Sequence, residues 1–380
     1  MSAPTDRSSR RPRLLVVGPL PPPVGGVETV TQAILESGAF RDFQLAHCDS
    51  ANGRLARAQD HDRFDAGDVI SALRPLARMR AAVARVRPDV AYLPVAGTWP
   101  GFLRDMALAW IARRSGARVI GHVHDSDFHL ILERTGPSAR WVRAGLDQLD
   151  CLLVPGEPAK RLVDAFGIRG RCAVVPSTFR REVSERGASF RRGAPRPWSV
   201  EGLFLGREGP VEGVSDLLAA VKRCKDMEVP FRLTLVGPDD IEGQWSGLLE
   251  TRRQLGLEDV TEITGPLQGE ALYDRFRIAE VFVMPSDTED LMGFYEAGAF
   301  EMPVITTVGS IPELIVDGRN GLLVEPGRVE QIVQAIVRLV RNPEERAAMG
   351  RQLKQDIAAF HPDRVCARIA DEVRTTLSKA

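Results

Sequence analysis

Residues 281–327, VFVMPSDTEDLMGFYEAGAFEMPVITTVGSIPELIVDGRNGLLVEPG, decide the fold class of this chain. The stretch opens with an apolar run, Val281 to Met284, which a polar turn joins to a helical pattern. A second apolar run, Val304 to Thr306, follows, and a third strand comes after a glycine turn. Buried strands that alternate with crossover helices build a parallel sheet, and ligands bind beyond the carboxyl ends of its strands. The sequence therefore predicts an α/β domain with its ligand site around Glu289 and Glu296.

The start of the helix in this stretch suits a nucleotide diphosphate. Backbone N–H groups at Leu291, Met292 and Gly293 can donate to phosphate oxygens, and the positive end of the helix dipole favours a dianion there. Gly293 lets a ligand come close to the backbone. About one turn further, the two carboxylate oxygens of Glu296 match the vicinal hydroxyls of a ribose. For either glutamate alone, a solvated side chain on an amphipathic helix is the alternative interpretation.

The same stretch resembles the donor-site signature of the retaining glycosyltransferases of family 4, which have the GT-B fold. The motifs occur in the family's order: Pro285-Ser286, Glu289, Glu296-Ala297, Pro303-Val304-Ile305, Gly309 to Glu313, and Asp317 to Val324. The family usually places its two glutamates one position farther apart than Glu289 and Glu296. Either the connecting loop is one residue shorter here, or Thr288 takes the place of the first glutamate.

Composition indicates an ordinary globular chain of 380 residues, long enough for two domains. Its 50 basic and 51 acidic residues leave a formal charge of −1, so no global field attracts nucleic acid. Five cysteines without a Cys-x-x-Cys pair favour a reducing cytoplasm over a disulfide framework. Residues 1–13 are polar and basic, with no apolar stretch that would make a signal peptide or a membrane span, and they are predicted to be a disordered tail.

The α/β pattern occurs twice, and each copy opens with an apolar strand that ends at a glycine. We assign 14–180 to an N-terminal Rossmann-like acceptor domain and 199–360 to a C-terminal Rossmann-like nucleotide-sugar donor domain. Residues 181–198 are polar and rich in Gly and Pro, which is typical of a linker. Residues 361–380 are predicted to be mainly helical, and the resemblance implies that this helix crosses back to the first domain. The predicted fold class is α/β of the GT-B type, with the two domains facing across a cleft.

Two candidate site residues lie in the first half. Gly25 and Gly26 begin a helix and allow a ligand close to the backbone, although a glycine pair alone is as typical of a turn. The resemblance implies that Gly26 lies near the donor phosphates. It also implies that His124, in the pair His124-Asp125, faces the donor sugar and the acceptor.

Two metal-binding interpretations of the same region remain alternatives. His122 and His124 would share one face of a strand, and His129 could complete a zinc site, but no Cys or Glu cluster supports it. The run Asp125-Ser126-Asp127 spells the Asp-x-Asp that GT-A enzymes use for a divalent cation. A GT-A interpretation would leave residues 281–327 without a role, so we expect no metal site.

A basic amphipathic helix is predicted from about Val69 to Val86. Arginines alternate there with apolar residues such as Leu76, Met79 and Val83. The pattern suits a crossover helix with solvated arginines, and peripheral contact with anionic lipid is the alternative.

Taken with the residues, the resemblance implies a retaining, metal-independent glycosyltransferase without a cofactor. It would move a sugar from a nucleotide diphosphate to the hydroxyl of a carbohydrate or lipid-linked acceptor. Cell-envelope polysaccharide or glycolipid assembly, in the cytoplasm or peripherally at the inner face of the membrane, is the expected setting. Arg207 would neutralise the leaving diphosphate, Gly237 would make room near the base, and Glu289 would bind the donor sugar.

One departure from the family pattern keeps two alternatives open. Glu212 stands before Gly213 where the family has a lysine, and a carboxylate near a phosphate would be repelled. The alternatives are a noncatalytic GT-B partner or regulatory subunit, and a sugar-nucleotide epimerase.

Overall fold

The computed structural model describes residues 10–22, 25–51, 66–124, 127–193, 199–206, 213–237, 244–285, 291–308 and 314–378. The chain divides into two compact units. Unit 1 comprises Met1–Arg180 and Phe360–Ala380, and unit 2 comprises Arg181–Ala359. The described part of each unit contains a six-stranded parallel sheet with helices on its faces.

Unit 1 has the strand order β2-β1-β3-β4-β5-β6. Its elements are β1 Arg13–Val17, α1 Gly26–Glu36, β2 Gln44–Cys48, α2 Ala66–Val86, β3 Val90–Val95, α3 Trp99–Arg114, β4 Arg118–Val123, α4 Phe128–Leu132, α5 Gly136–Leu146, β5 Cys151–Val154, α6 Glu157–Phe166, β6 Arg171–Val174, and finally a helix at Pro362–Ser378. All six residues of β3 are buried, as expected of a parallel strand that is covered on both faces.

Two apolar clusters hold the helices of unit 1 on opposite faces of the sheet. Leu15 and Val17 of β1 point into a cluster that includes Met79 of α2, Phe102 of α3 and Val142 of α5. The alternate residues of β1 point into a second cluster, which α1 and the terminal helix Pro362–Ser378 complete. The terminal helix contributes Val365, Ile369 and Val373, all fully buried, and Leu377, which packs at the edge of the cluster. These four residues recur every four positions in the sequence, a spacing that predicts one apolar face of a helix.

Unit 2 has the strand order β12-β11-β10-β7-β8-β9. Its elements are α7 Arg181–Ser189, β7 Val200–Leu205, α8 Val214–Asp226, β8 Phe231–Val236, α9 Gln244–Gln254, β9 Thr261–Ile263, α10 Gly269–Ile278, β10 Val281–Met284, α11 Leu291–Ala299, β11 Val304–Thr307, β12 Gly321–Val324, α12 Val329–Arg341 and α13 Pro343–Asp356; the terminal helix of unit 1 is then α14. The stretch 281–327 is therefore β10, α11, β11 and β12, and the predicted α/β class is confirmed.

The predicted linker, 181–198, is corrected by the structure over residues 181–193. Residues Arg181–Ser189 form α7 in unit 2, and α7 packs on α11 so closely that a Cβ added at Gly187 would lie 2.7 Å from the Cβ of Ala299. The Lys354 ammonium then donates to the carbonyl oxygen of Phe190 over 2.7 Å. The helix has no visible apolar period because its buried contacts come from a valine and a glycine. Residues 194–198 lie outside the described residues.

The predicted tail is also shorter than 1–13. Arg10 pairs with Asp89 at 2.9 Å, and the amide of Arg13 donates to the same carboxylate, so β1 already begins at Arg13. Residues 1–9 lie outside the described residues. Within the described ranges, no helix is both long and apolar enough to cross a bilayer.

Candidate functional site

The carboxyl edge of the unit 2 sheet brings three chain segments together. β7 pairs with β8 on one side and with β10 on the other, all in parallel. Gly206 follows β7, Gly237 follows β8, and Pro285 follows β10, so all three lie at the same edge. The connection after β7 runs toward β8, whereas the connection after β10 runs toward β11, so the strand order reverses between β7 and β10. Open parallel sheets bind ligands at such a switch point.

Helix α11 begins at this edge and carries the predicted phosphate-binding backbone. The helix starts at Leu291, and the first N–H groups of any helix lack partners within the helix. Glu289 belongs to residues 286–290, which lie outside the described residues. Arg207 and Glu212, which follow β7 in the sequence, lie outside them as well.

Gly293 has a packing role that the sequence did not indicate. A Cβ at this position would lie 2.8 Å from Cζ of Phe282, which is itself fully buried in β10. Real Cβ atoms do not approach that closely, so the glycine lets α11 sit directly on β10. The predicted close approach of a ligand to this backbone stays a prediction. Met292, the preceding residue, is also buried, with 5% of its surface exposed.

Glu296 is a fully buried carboxylate, with 0% of its surface exposed. It lies on α11 among Phe294, Tyr295 and Ala297, which are also buried. The alternative that this side chain is simply solvated is therefore wrong. A buried carboxylate destabilises the fold unless polar groups compensate it. A glutamate on this buried face of α11 therefore indicates a specific role.

Unit 1 has its own switch point, between β1 and β3. α1 begins near it at Gly26, where an added Cβ would meet no atom within 4 Å. Gly25, the N-cap residue, has no side chain that could cap this helix, and the carboxylate of Glu28 lies beside it, with Oε2 2.5 Å from where a Cβ of Gly25 would be. A carboxylate at this helix start disfavours a second anion there, and the predicted role of Gly26 beside the donor phosphates stays a prediction.

His122 is held in one tautomer by two hydrogen bonds. Its Nε2 lies 2.9 Å from the carbonyl oxygen of Val175, which can only accept, so Nε2 carries the proton. Nδ1, 2.6 Å from the Tyr92 hydroxyl, must then accept from that hydroxyl. Burial lowers the His122 pKa from 6.5 to about 4, although the bond to Val175 opposes the shift. The ring is therefore neutral near pH 7.

This bonding leaves His122 no free nitrogen for zinc, and the zinc alternative loses its first ligand. Across the described ranges, no group of three His, Cys, Asp or Glu side chains could hold a metal ion. Asp125 and Ser126 of the Asp-x-Asp run lie outside those ranges.

His124 lies at the carboxyl end of β4, on the same face as His122, as the alternation predicted. The two ring centroids are 4.1 Å apart, and His124 Nδ1 lies 3.1 Å from the Ser177 hydroxyl. Although part of its surface remains accessible, burial of the ring lowers its pKa well below 6.5, and the neighbouring His122 lowers it further. His124 is thus a neutral imidazole at the sheet edge. Sequence reasoning missed Ser177 and Tyr92, which no motif marks.

Part of the chain matches the model of a known protein family. Residues 200–356 match the family model described as glycosyl transferases group 1. These residues form a group 1 glycosyl transferase domain. The group 1 domain covers β7 to α13 and contains the whole 281–327 stretch, which confirms the family that the sequence resembles.

Relatives with assigned names extend the match beyond the group 1 domain. The D-inositol 3-phosphate glycosyltransferase of Streptosporangium roseum is 30% identical over 255 residues, which are 63% of this chain and 58% of the relative. The corresponding protein of Streptomyces avermitilis is 32% identical over 216 residues, 53% of this chain and 46% of the relative. The chain thus matches about half the length of these relatives.

Solved structures match the fold over nearly the whole chain. Sucrose-phosphate synthase from Thermosynechococcus elongatus has a TM-score of 0.71 at 15% identity, covering 97% of this chain and 100% of that one. HepE of Anabaena in complex with UDP-glucose has a TM-score of 0.68 at 15% identity, covering 96% and 99%. At this identity the likeness concerns the fold alone, and it confirms the predicted GT-B class.

Proposed function

We propose that this chain is a retaining glycosyltransferase that moves a sugar from a nucleotide diphosphate to an acceptor hydroxyl without a metal ion. The observation that supports the proposal most is the edge of the group 1 domain at the β7–β10 switch point. There the start of α11 lies at the same sheet edge as Gly206 and Gly237, and the buried Glu296 lies about one turn further along α11. A diphosphate at the helix start and a ribose at the carboxylate use these features together.

Each unit would contribute its own groups to the reaction. In unit 2, the N–H groups of residues 291–293 and Arg207 would stabilise the leaving diphosphate, while Glu296 would hold the ribose. Gly237 would make room near the base, and Glu289 would bind the hydroxyls of the donor sugar. In unit 1, Gly26 would lie beside the phosphates and His124 beside the reacting carbon.

The proposed step needs no covalent nucleophile. The bond from the anomeric carbon to the leaving phosphate oxygen breaks, and the acceptor oxygen bonds to that carbon on the same face. The acceptor's proton passes to an oxygen of the leaving phosphate. Negative charge gathers on that phosphate, so donors already placed there lower the barrier most. A neutral His124 can hydrogen-bond a hydroxyl without repelling the positive charge on the anomeric carbon.

The proposed acceptor and setting rest on the family resemblance, and the relatives add one candidate acceptor. Relatives are named for D-inositol 3-phosphate, and a structural neighbour holds UDP-glucose. We propose a carbohydrate or lipid-linked acceptor in cell-envelope polysaccharide or glycolipid assembly, on the cytoplasmic side. Inositol phosphate belongs in the first acceptor panel.

The test begins with donor binding. A thermal-shift screen with UDP, GDP, ADP and TDP sugars is expected to find one stabilising nucleotide, and calorimetry then measures its affinity. Glu296→Ala removes a ribose contact made by a charged group, worth about 1.5–3 kcal/mol, so we expect nucleotide affinity to fall roughly 10- to 100-fold. Glu258→Ala, an exposed carboxylate of the same domain, is the matched control and should bind normally. Equal affinity in both variants would mean that the ribose lies elsewhere.

Glu212 supports a second candidate, a noncatalytic GT-B partner. In that case the nucleotide binds weakly or not at all, and no sugar is transferred to any acceptor. An epimerase is distinguished by product analysis with the donor alone, because it converts the donor without an acceptor. Restoring the family residue by Glu212→Lys should raise diphosphate affinity if the carboxylate faces the phosphates.

A further inference from the structure

Helix α3 of unit 1 is apolar on its outer side as well as on its inner side. Phe102, Met106 and Ala109 pack in the core, as expected of a crossover helix. The outer stripe, however, consists of Leu103, Ala107 and Trp110, with Leu103 40% and Trp110 48% exposed. Surface helices normally carry polar residues on that side. The stripe therefore leaves apolar surface uncovered along α3.

Helix α5 extends this apolar surface. It lies against α3 at Gly145, where an added Cβ would be 2.7 Å from Cγ of Met106. Both helices connect parallel strands of the sheet, so they run in the same direction. Trp141 lies four residues before Gly145 in α5, and Leu103 lies three residues before Met106 in α3. Because the helices run in the same direction, both side chains are on the N-terminal side of the contact. Trp141 is 67% exposed, the largest exposure among the large hydrophobic side chains of the described residues.

The exposed charges on these two helices are all positive. We define the α3–α5 face as Leu103, Ala107, Trp110 and Trp141 with the exposed arginines Arg114 and Arg140. In α3 the only carboxylate is Asp105, which is 1% exposed and accepts a hydrogen bond from the amide of Ala96. Helix α5 has no acidic residue at all. The chain as a whole is nearly neutral, so the positive charge of the α3–α5 face is a local feature.

We propose that the α3–α5 face docks on the surface of an anionic lipid bilayer. Tryptophan and leucine side chains insert at the headgroup boundary, and arginines flank them to pair with lipid phosphates. A second copy of this chain fits less well, because a contact between two such faces would bring together the arginines of both copies with no exposed carboxylate of α3 or α5 to pair with them. Arg114 already lies with its Cζ 5.0 Å above the Trp110 ring, a pairing that keeps the cation at the apolar boundary.

This places the lipid contact on a different helix from the one the sequence suggested. The described part of α2 turns Met79, Ala82 and Val83 into the core, as a crossover helix does. Arg78 of α2 pairs with Asp49 at 3.0 Å. The basic pattern of α2 is thus partly neutralised, whereas the exposed faces of α3 and α5 carry no carboxylate.

Vesicle flotation of the full chain tests the proposal. The vesicles contain phosphatidylcholine alone, or phosphatidylcholine with phosphatidylglycerol. We expect binding to the anionic vesicles, weakened roughly tenfold by Trp110→Ser with Trp141→Ser. Arg140→Glu should weaken it at least about fivefold. The controls Leu249→Ser and Arg351→Glu change exposed residues of unit 2 by the same kind of substitution and should bind normally.

Brominated lipids add an independent readout. Tryptophan fluorescence of the wild-type chain should be quenched by brominated acyl chains, and the double tryptophan variant should lose most of that quenching. Circular dichroism confirms that the variants are folded. Binding that is equal for the two vesicle types, or that is unchanged by the tryptophan substitutions, would overturn the proposal. So would a wild-type dimer in solution that the tryptophan variant dissociates. The assay contains no nucleotide sugar, so its failure would not touch the proposed transfer reaction.

Discussion

Gly293→Ala tests whether packing or a ligand requires glycine at the start of α11. Alanine would gain about 1 kcal/mol in helix propensity. The new methyl group would lie 2.8 Å from Cζ of a fully buried phenylalanine, Phe282, and such overpacking costs about 1–3 kcal/mol. We therefore expect a net loss of about 0–2 kcal/mol in the free energy of unfolding, measured by urea denaturation.

The decisive comparison is with a glycine that has free space. Gly247 lies within α9, and a Cβ there would meet no atom within 4 Å. Gly247→Ala should therefore stabilise the chain by up to about 1 kcal/mol. Gly293→Ala should become tolerable when Phe282→Leu makes room, with a favourable coupling free energy of about 1–2 kcal/mol in a double-mutant cycle.

Two results would refute the packing argument. One is a coupling near zero between the substitutions at residues 282 and 293. The other is a Gly293→Ala variant as stable as Gly247→Ala. Nucleotide affinity adds a further distinction. If a diphosphate also approaches Gly293, the double variant recovers stability but still binds the nucleotide poorly.

Two other predictions concern the histidines of unit 1. The folded-state pKa of His122, about 4, lies below its ordinary 6.5, so the unfolded chain binds more protons between these values and stability falls as the pH falls through that window. His122 should contribute about 2 kcal/mol to the loss of stability between pH 7 and pH 5 in urea denaturation, and His124, whose pKa is also lowered, adds to that loss. His122→Gln should reduce the pH dependence by about the His122 share, while an unchanged slope would contradict the assignment. Ser177→Ala removes the hydrogen bond to His124, so the kcat of sugar transfer should fall about threefold to tenfold while the KM for the donor stays unchanged. A change confined to KM would count against a role of Ser177 in positioning His124.

Much of the fold was predictable because parallel sheets leave a strong pattern. Buried strands such as β3 and β10 read as short apolar runs, and each is followed by a crossover helix. The apolar face of α14 was equally clear from its spacing. α7 was not predictable, because its contact with Ala299 depends on the absence of a side chain at Gly187. A glycine in a polar segment indicates a flexible linker as readily as a close helix contact.

Site residues were predictable where a local sequence motif marks them. They were not predictable where they depend on partners that are distant in the sequence. A local motif marked Glu296, and the structure adds that its side chain is buried, while its contact with a ribose stays a prediction. The hydrogen bonds from Tyr92 to His122 and between His124 and Ser177 join residues at least 30 positions apart, and no local pattern announces them. Gly293 was noticed for a ligand, yet its neighbour Phe282 supplies a reason that only the packed structure reveals.

The discontinuity of unit 1 has a consequence for biosynthesis. Its second apolar cluster needs Val365, Ile369 and Val373, which the ribosome adds only after all of unit 2 has been made. Domains usually fold in the order in which they are synthesised. Unit 1, although most of it is translated first, can complete its core only after unit 2 and α14 have been made. A fragment ending at Arg180 would lack α14 and expose Val16, Tyr92 and Ile120 to association, so co-expression of residues 360–380 is a sensible remedy.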